Sequence, residues 1–139
     1  MPGFEMFGAE EKKEVNEVLE TGILMRYGFD GPRKGIWKSK ELEQAICSRF
    51  GTEYAQLTSS GTAALTTAMV SLGIGAGDEV IMPAFTFVAS FEAILSVGAV
   101  PVLVDIDSSL TLDPVAVEAL LRLKQNVLCP CICADLWPI

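Results

Sequence analysis

Two short apolar runs, Glu79–Met82 and Val100–Val104, most constrain what this chain can fold into. Neither alternates apolar with polar residues, so a strand formed there needs cover on both faces. A third stretch, Tyr54–Leu57, reads as the end of a further strand. Between them lie two segments of helical length: Ala63–Leu72, rich in small residues, and Thr86–Val97, which is apolar. Strands separated by helices predict a parallel sheet covered by helices, an α/β chain.

The flanking segments read as helices and turns. Glu10–Thr21 predicts an amphipathic helix with Val15, Val18 and Leu19 on one face and Gly22 as its stop. Ser39 is expected to cap a second helix to about Arg49, with Leu42, Ala45 and Ile46 facing inward and Gly51 ending it. Arg26–Lys38 is a loop with three glycines, Pro32 and several basic residues. Leu112-Asp113-Pro114 opens a last helix, with Asp113 as N-cap, Pro114 at the first helical position and Leu112 able to staple onto Val117. Gly73-Ile74-Gly75-Ala76-Gly77 follows a helix and precedes a strand. A dinucleotide loop needs the order strand, loop, helix, so this one is a helix stop and turn.

Charge narrows the partners. Ten basic against eighteen acidic residues leave a net charge of −8, which argues against nucleic acid or an anionic membrane as partner. No apolar run approaches the ~18 residues of a membrane span. The opening Met1–Gly8 lacks the basic and apolar regions of a signal peptide, so the cytoplasm is expected. Histidine is absent, which removes the commonest general base and neutral metal ligand. Cys129, Cys131 and Cys133 crowd together near the end, while Cys47 stands apart. Without a fourth ligand nearby, and with Pro130 between the first two, they do not make a closed zinc site, and no metal is expected.

Ser59-Ser60-Gly61-Thr62 sits where the third strand would pass into its helix. The first N–H groups of a helix have no internal partner and lie at the positive end of its dipole. Ser60 and Thr62 can add hydroxyls to those amides, and Gly61 permits close approach of a ligand. The segment suits a phosphate; it also suits a plain Ser/Thr helix cap. Pro83–Ser90 leaves the carboxyl end of its strand on the same sheet edge, where ligands collect in doubly wound sheets. Phe87 there is placed either to stack on a flat ring or to enter the core.

Four blocks then carry a resemblance: Thr58–Leu65, Gly77–Pro83, Thr86–Ala89, and Gly98–Val102 followed by Asp105. In order and spacing they resemble the DegT/DnrJ/EryC1/StrS family of pyridoxal-phosphate-dependent sugar aminotransferases, over residues 1–121. Phe4-Glu5, Arg26-Tyr27, Phe29-Asp30, Arg33 and Trp37-Lys38 are most similar to the branch of 8-amino-3,8-dideoxy-octulosonate transaminases, enzymes of lipopolysaccharide sugars. The resemblance implies the N-terminal portion of a fold type I large domain, an α/β/α sandwich with a mostly parallel sheet. It implies pyridoxal 5'-phosphate as cofactor, with Ser60, Gly61 and Thr62 at its phosphate and Phe87 on its pyridine ring. The reaction implied moves an amino group from an amino-acid donor, glutamate in most members, to a keto or aldehyde sugar. The intact enzyme would be a homodimer with its active sites at the subunit interface. Arg26 and Arg33 would then face an acidic sugar's carboxylate, although the same loop also reads as ordinary solvated surface. A dehydratase-like relative, or a non-catalytic phosphate- or cofactor-binding module, would use the same cup.

The family's chemistry needs a lysine to carry the cofactor and an acidic partner for the pyridine nitrogen. Lys12, Lys13, Lys34, Lys38, Lys40 and Lys124 all stand outside the family's lysine context, so no catalytic residue is assigned and this chain alone is expected to be inactive. Residues 122–139 depart from the family pattern. Back-translated and read one nucleotide earlier, they permit the Thr-Pro linker, strand and Pro-Val-His block that the family places there. They are expected to be an out-of-frame tail ending at a premature stop, which sequencing of the locus tests.

Overall fold

A computed structural model of the chain describes residues 3–123. Of the tail expected from residue 122 onward, Arg122 and Leu123 end a helix, and residues 124–139, with Lys124 and the cysteine cluster, lie outside the described residues. Those described divide into two compact units, one up to Leu57 and one from Thr58.

The first unit is a short 3-10 turn, Phe4–Met6, followed by three helices: α1 (Ala9–Thr21), α2 (Asp30–Arg33) and α3 (Lys38–Phe50). The Gly8 N–H donates to Glu11 Oε2 at 2.7 Å at the start of α1. Gly22 and Gly51 end α1 and α3 in left-handed backbone at φ 68° and 67°, as glycine at a helix end should. The start of α3 corrects the expectation. Trp37 rather than Ser39 is its N-cap, and the Trp37 N–H reaches Glu41 Oε1 at 3.3 Å.

No apolar side chain described in this unit is buried. Its buried residues are Arg33 and Glu43. Leu42 and Ala45, expected to face inward, are exposed, and Val15 and Leu19 of α1 are more than half exposed. Polar ties hold the unit instead. Lys38 Nζ lies 2.7 Å from both Glu14 and Glu17 of α1, joining that helix to the start of α3.

Tyr54–Leu57 is irregular rather than a strand. The Leu57 N–H, which a ladder would use, donates to Glu43 Oε1 at 2.8 Å. A side chain has taken the place of a neighbouring strand.

The second unit runs α4 (Gly61–Ser71), β1 (Glu79–Pro83), α5 (Val88–Ser96), β2 (Val100–Val104) and α6 (Pro114–Leu123). β1 and β2 pair in parallel, with Glu79 opposite Val100 and Pro83 opposite Val104. Val80 and Met82 point to one face and join Met69, Ile74, Ala93, Ile94 and Ala99 in a single apolar core. Ile81, on the other face, is also fully buried. The expected parallel α/β arrangement is present here.

Both strands are entered through the same helix ending. After α4, the Gly73 N–H bonds Val70 O at 3.0 Å and the Ile74 N–H bonds Met69 O at 3.0 Å. After α5, the Gly98 N–H bonds Leu95 O at 2.9 Å and the Ala99 N–H bonds Ile94 O at 3.2 Å. Each glycine takes a left-handed φ, 79° and 78°, and each following residue turns into the core. These paired bonds and the apolar contact make two Schellman endings. Asp113 caps α6 as expected, accepting the Val115 N–H at 2.8 Å with Pro114 in the first turn.

Candidate functional site

Ser60 stands just outside α4 in extended backbone, φ −161° and ψ 164°, and its Oγ accepts the Ala63 N–H at 3.1 Å. Its carbonyl accepts the Ala64 N–H at 3.0 Å and the Thr58 hydroxyl at 2.9 Å. Ser60 is therefore a helix cap in its own right. The helix starts two residues before the expected Ala63, which brings Gly61 and Thr62 into its first turn.

The amides of Gly61 and Thr62 have no partner among the described residues. A methyl group built on Gly61 would meet nothing within 4 Å, and its backbone is not left-handed. Neither packing nor conformation requires a glycine there. What its missing side chain leaves is open space in front of two adjacent N–H groups at the positive end of a helix. That space suits a phosphate.

Phe87 is the N-cap of α5 in extended backbone, and its carbonyl accepts the Ser90 N–H at 3.1 Å. Its ring is 67% exposed, so it is free to meet a ligand rather than spent in the core. Phe85 is exposed as well. Behind them the Thr86 and Ser90 hydroxyls pair at 3.3 Å.

Chain order relates the two features: α4 leads through a turn into β1, and α5 begins five residues after Pro83, the last residue of β1. The two helices pack on each other. Phe87 stands beyond the carboxyl end of β1, where α/β folds bind ligands, and Ser60, Gly61 and Thr62 open the helix that packs on α5. Asp105 follows the carboxyl end of β2, its carboxylate turned onto the neighbouring Ile106 N–H at 2.9 Å.

Arg26 and Arg33 belong to the first unit and differ from each other. Arg33 is 4% exposed. Its Nε donates to Gly28 O at 2.8 Å, an Nη donates to Met25 O, and the guanidinium lies 4.5 Å from the Trp37 ring centre. It fastens its own loop. Arg26 pairs through one Nη with Glu43, and its side chain is 46% exposed. That pairing, together with the Leu57 N–H, holds the Glu43 carboxyl below the usual range.

Residues 5–131 match the sequence model of the DegT/DnrJ/EryC1/StrS aminotransferase family. The chain belongs to that family. Among solved structures it is similar to 3-amino-5-hydroxybenzoic acid synthase, with 35% identity and a TM-score of 0.73 over 86% of this chain and 29% of that one. DesV of S. venezuelae is 33% identical, with a TM-score of 0.71 over 84% of this chain and 29% of DesV. NtdA from Bacillus subtilis, solved with its bound cofactor PMP, is 30% identical, with a TM-score of 0.66 over 81% of this chain and 25% of NtdA. The fold is that of fold type I pyridoxal-phosphate enzymes, and pyridoxal phosphate is the cofactor of this DegT/DnrJ/EryC1/StrS family. The chain spans less than a third of the length of each of these relatives. No described helix is long and apolar enough to cross a membrane.

Glu43, Tyr27, Trp37 and Lys40 were not marked by sequence as site candidates, yet with Arg26 they line a cavity in the first unit. The signal available was Trp37 set between basic residues. The buried Glu43, 17 residues from its arginine, gave none.

Proposed function

We propose that this chain is the N-terminal portion of a pyridoxal-phosphate-dependent sugar aminotransferase and carries the cofactor's phosphate cup. The single observation that carries the reading is the pair of unpartnered amides at Gly61 and Thr62 beneath open space, at the start of the helix that packs on the one the exposed Phe87 caps. Those amides would hold the phosphate, the Ser60 cap would fix their direction, and Phe87 would lie against the pyridine ring. Bound pyridoxal phosphate supplies an electron sink for passing an amino group between two carbonyl partners.

The acceptor in this reading is a keto or aldehyde sugar of the octulosonate kind and the donor an amino acid such as glutamate. The whole enzyme works as a homodimer in the cytoplasm, within lipopolysaccharide sugar synthesis. This chain alone does not turn over. Lys38, between Glu14 and Glu17, is held protonated well above the usual lysine range, chiefly by Glu14 and then Glu17, so it is a poor amine nucleophile. In this reading residues 1–121 are the family portion and 122–139 an out-of-frame tail, although the family match itself continues to residue 131. The residue at the family's lysine position, further along the gene, separates an aminotransferase from a dehydratase.

The test is binding of pyridoxal phosphate to the full chain, followed by cofactor fluorescence with inorganic phosphate as competitor. Gly61→Val should leave the melting temperature within a few degrees, since nothing packs against that position, while weakening binding about tenfold or more, the equivalent of one charge-assisted hydrogen bond. Equal binding by both chains would refute the cup. Borohydride treatment should leave no single lysine labelled.

A further inference from the structure

We propose that the cavity lined by Arg26, Tyr27, Trp37, Lys40 and Glu43 receives the carboxylate end of a sugar acid, with Lys40 and Arg26 as its cationic contacts. The proposal rests on the acidic-sugar reading of the acceptor and deepens it by assigning the residues. The cavity measures about 240 Å³, room for one small polar molecule rather than a drug-sized one.

Its charges are unequally committed. Glu43 accepts both Arg26 and the Leu57 N–H, so its carboxylate is occupied inside the unit. Arg26 spends one Nη on that pairing, which fixes the plane of the guanidinium, and its remaining N–H groups have no partner among the described residues. Lys40 makes no ion pair among the described residues. Its Nζ rests 5.0 Å from the Trp37 ring centre, held by the ring's negative face without being neutralised. Arg33, at 4.5 Å from the same ring, keeps that platform in place.

Two cations and one anion leave the cavity positive in a chain whose net charge is −8. A freely diffusing anion is repelled by the molecule as a whole, so this local reversal of sign has discriminating value. Tyr27, 70% exposed, adds a hydroxyl and an apolar ring face suited to a polyol. Arg33 is excluded from the contact because it is buried and does not line the cavity, two of its donors holding the Gly28 and Met25 carbonyls.

Trp37 provides the readout. In the full chain carrying Trp137→Phe, indole fluorescence is followed while gluconate, glucose or acetate is added. Gluconate should act saturably, Lys40→Gln should weaken it about tenfold or more, and Lys12→Gln should leave it unchanged. Neither glucose nor acetate should match it. An equal response to glucose or acetate, or a gluconate response indifferent to Lys40→Gln, overturns the assignment. So does absence of any gluconate response in a chain that still binds pyridoxal phosphate. Gluconate binding without pyridoxal phosphate binding supports the assignment and strikes the cofactor cup instead.

Discussion

Arg33 shows how much one side chain can organise when no apolar core is at hand. It is buried, it answers two backbone carbonyls with separate donors, and it stacks on Trp37. Only a planar fork can do all three, because an ammonium group has neither the spread nor the flat face. Arg33→Lys should therefore cost about 2–3 kcal/mol, the worth of hydrogen bonds to a charged group. The change should appear as a lower urea midpoint and faster trypsin cleavage within Met25–Trp37. A midpoint equal to wild type would show that the loop has other fastenings. Gly61 is the contrasting case, a residue whose importance lies in what it leaves empty.

At the scale of elements, glycine-marked ends were the most legible feature of the sequence. Gly22, Gly51 and Gly73 each stop a helix where expected, and Gly98 does the same after α5, because left-handed backbone is a local demand that sequence records locally. Gly98→Ala should cost about 1–2 kcal/mol, the penalty of that conformation for a residue with a side chain. Denaturant unfolding would measure it, and no loss would mean the α5 ending rearranges freely. The Ser60 cap and the Asp113-Pro114 start were legible for the same local reason. Tyr54–Leu57 was not, since a strand exists only with a neighbour and the Leu57 amide found Glu43 instead. Nor was the outward turn of Leu42: apolar spacing marks a face able to be buried, not one that has found cover. The Lys40–Trp37 cavity was hidden because it depends on how a loop closes, which Arg33 decides.

For the whole molecule, acid is the condition to watch. Glu43 is held below the ordinary glutamate value first by Arg26, Glu17 first by Lys38, and Asp107 by Ser109. A carboxyl lowered in the folded state adds stability that is present above its ordinary value and lost as pH falls through the folded one. Helicity should hold near neutrality and decline below the ordinary glutamate value of 4.5, and Glu43→Gln should flatten that decline. Circular dichroism from pH 7 to 3 measures it, and a profile identical in both proteins would remove Glu43 from the account. Lys38 acts in the opposite sense: its raised value adds stability that fades only in strong alkali. The first unit, in which no described apolar side chain is fully buried, has a thermal consequence of its own. Its unfolding exposes little new hydrocarbon, so it contributes little heat capacity and its stability varies gently with temperature. Cooling will scarcely weaken it, whereas added salt, which shields its ionic ties, will.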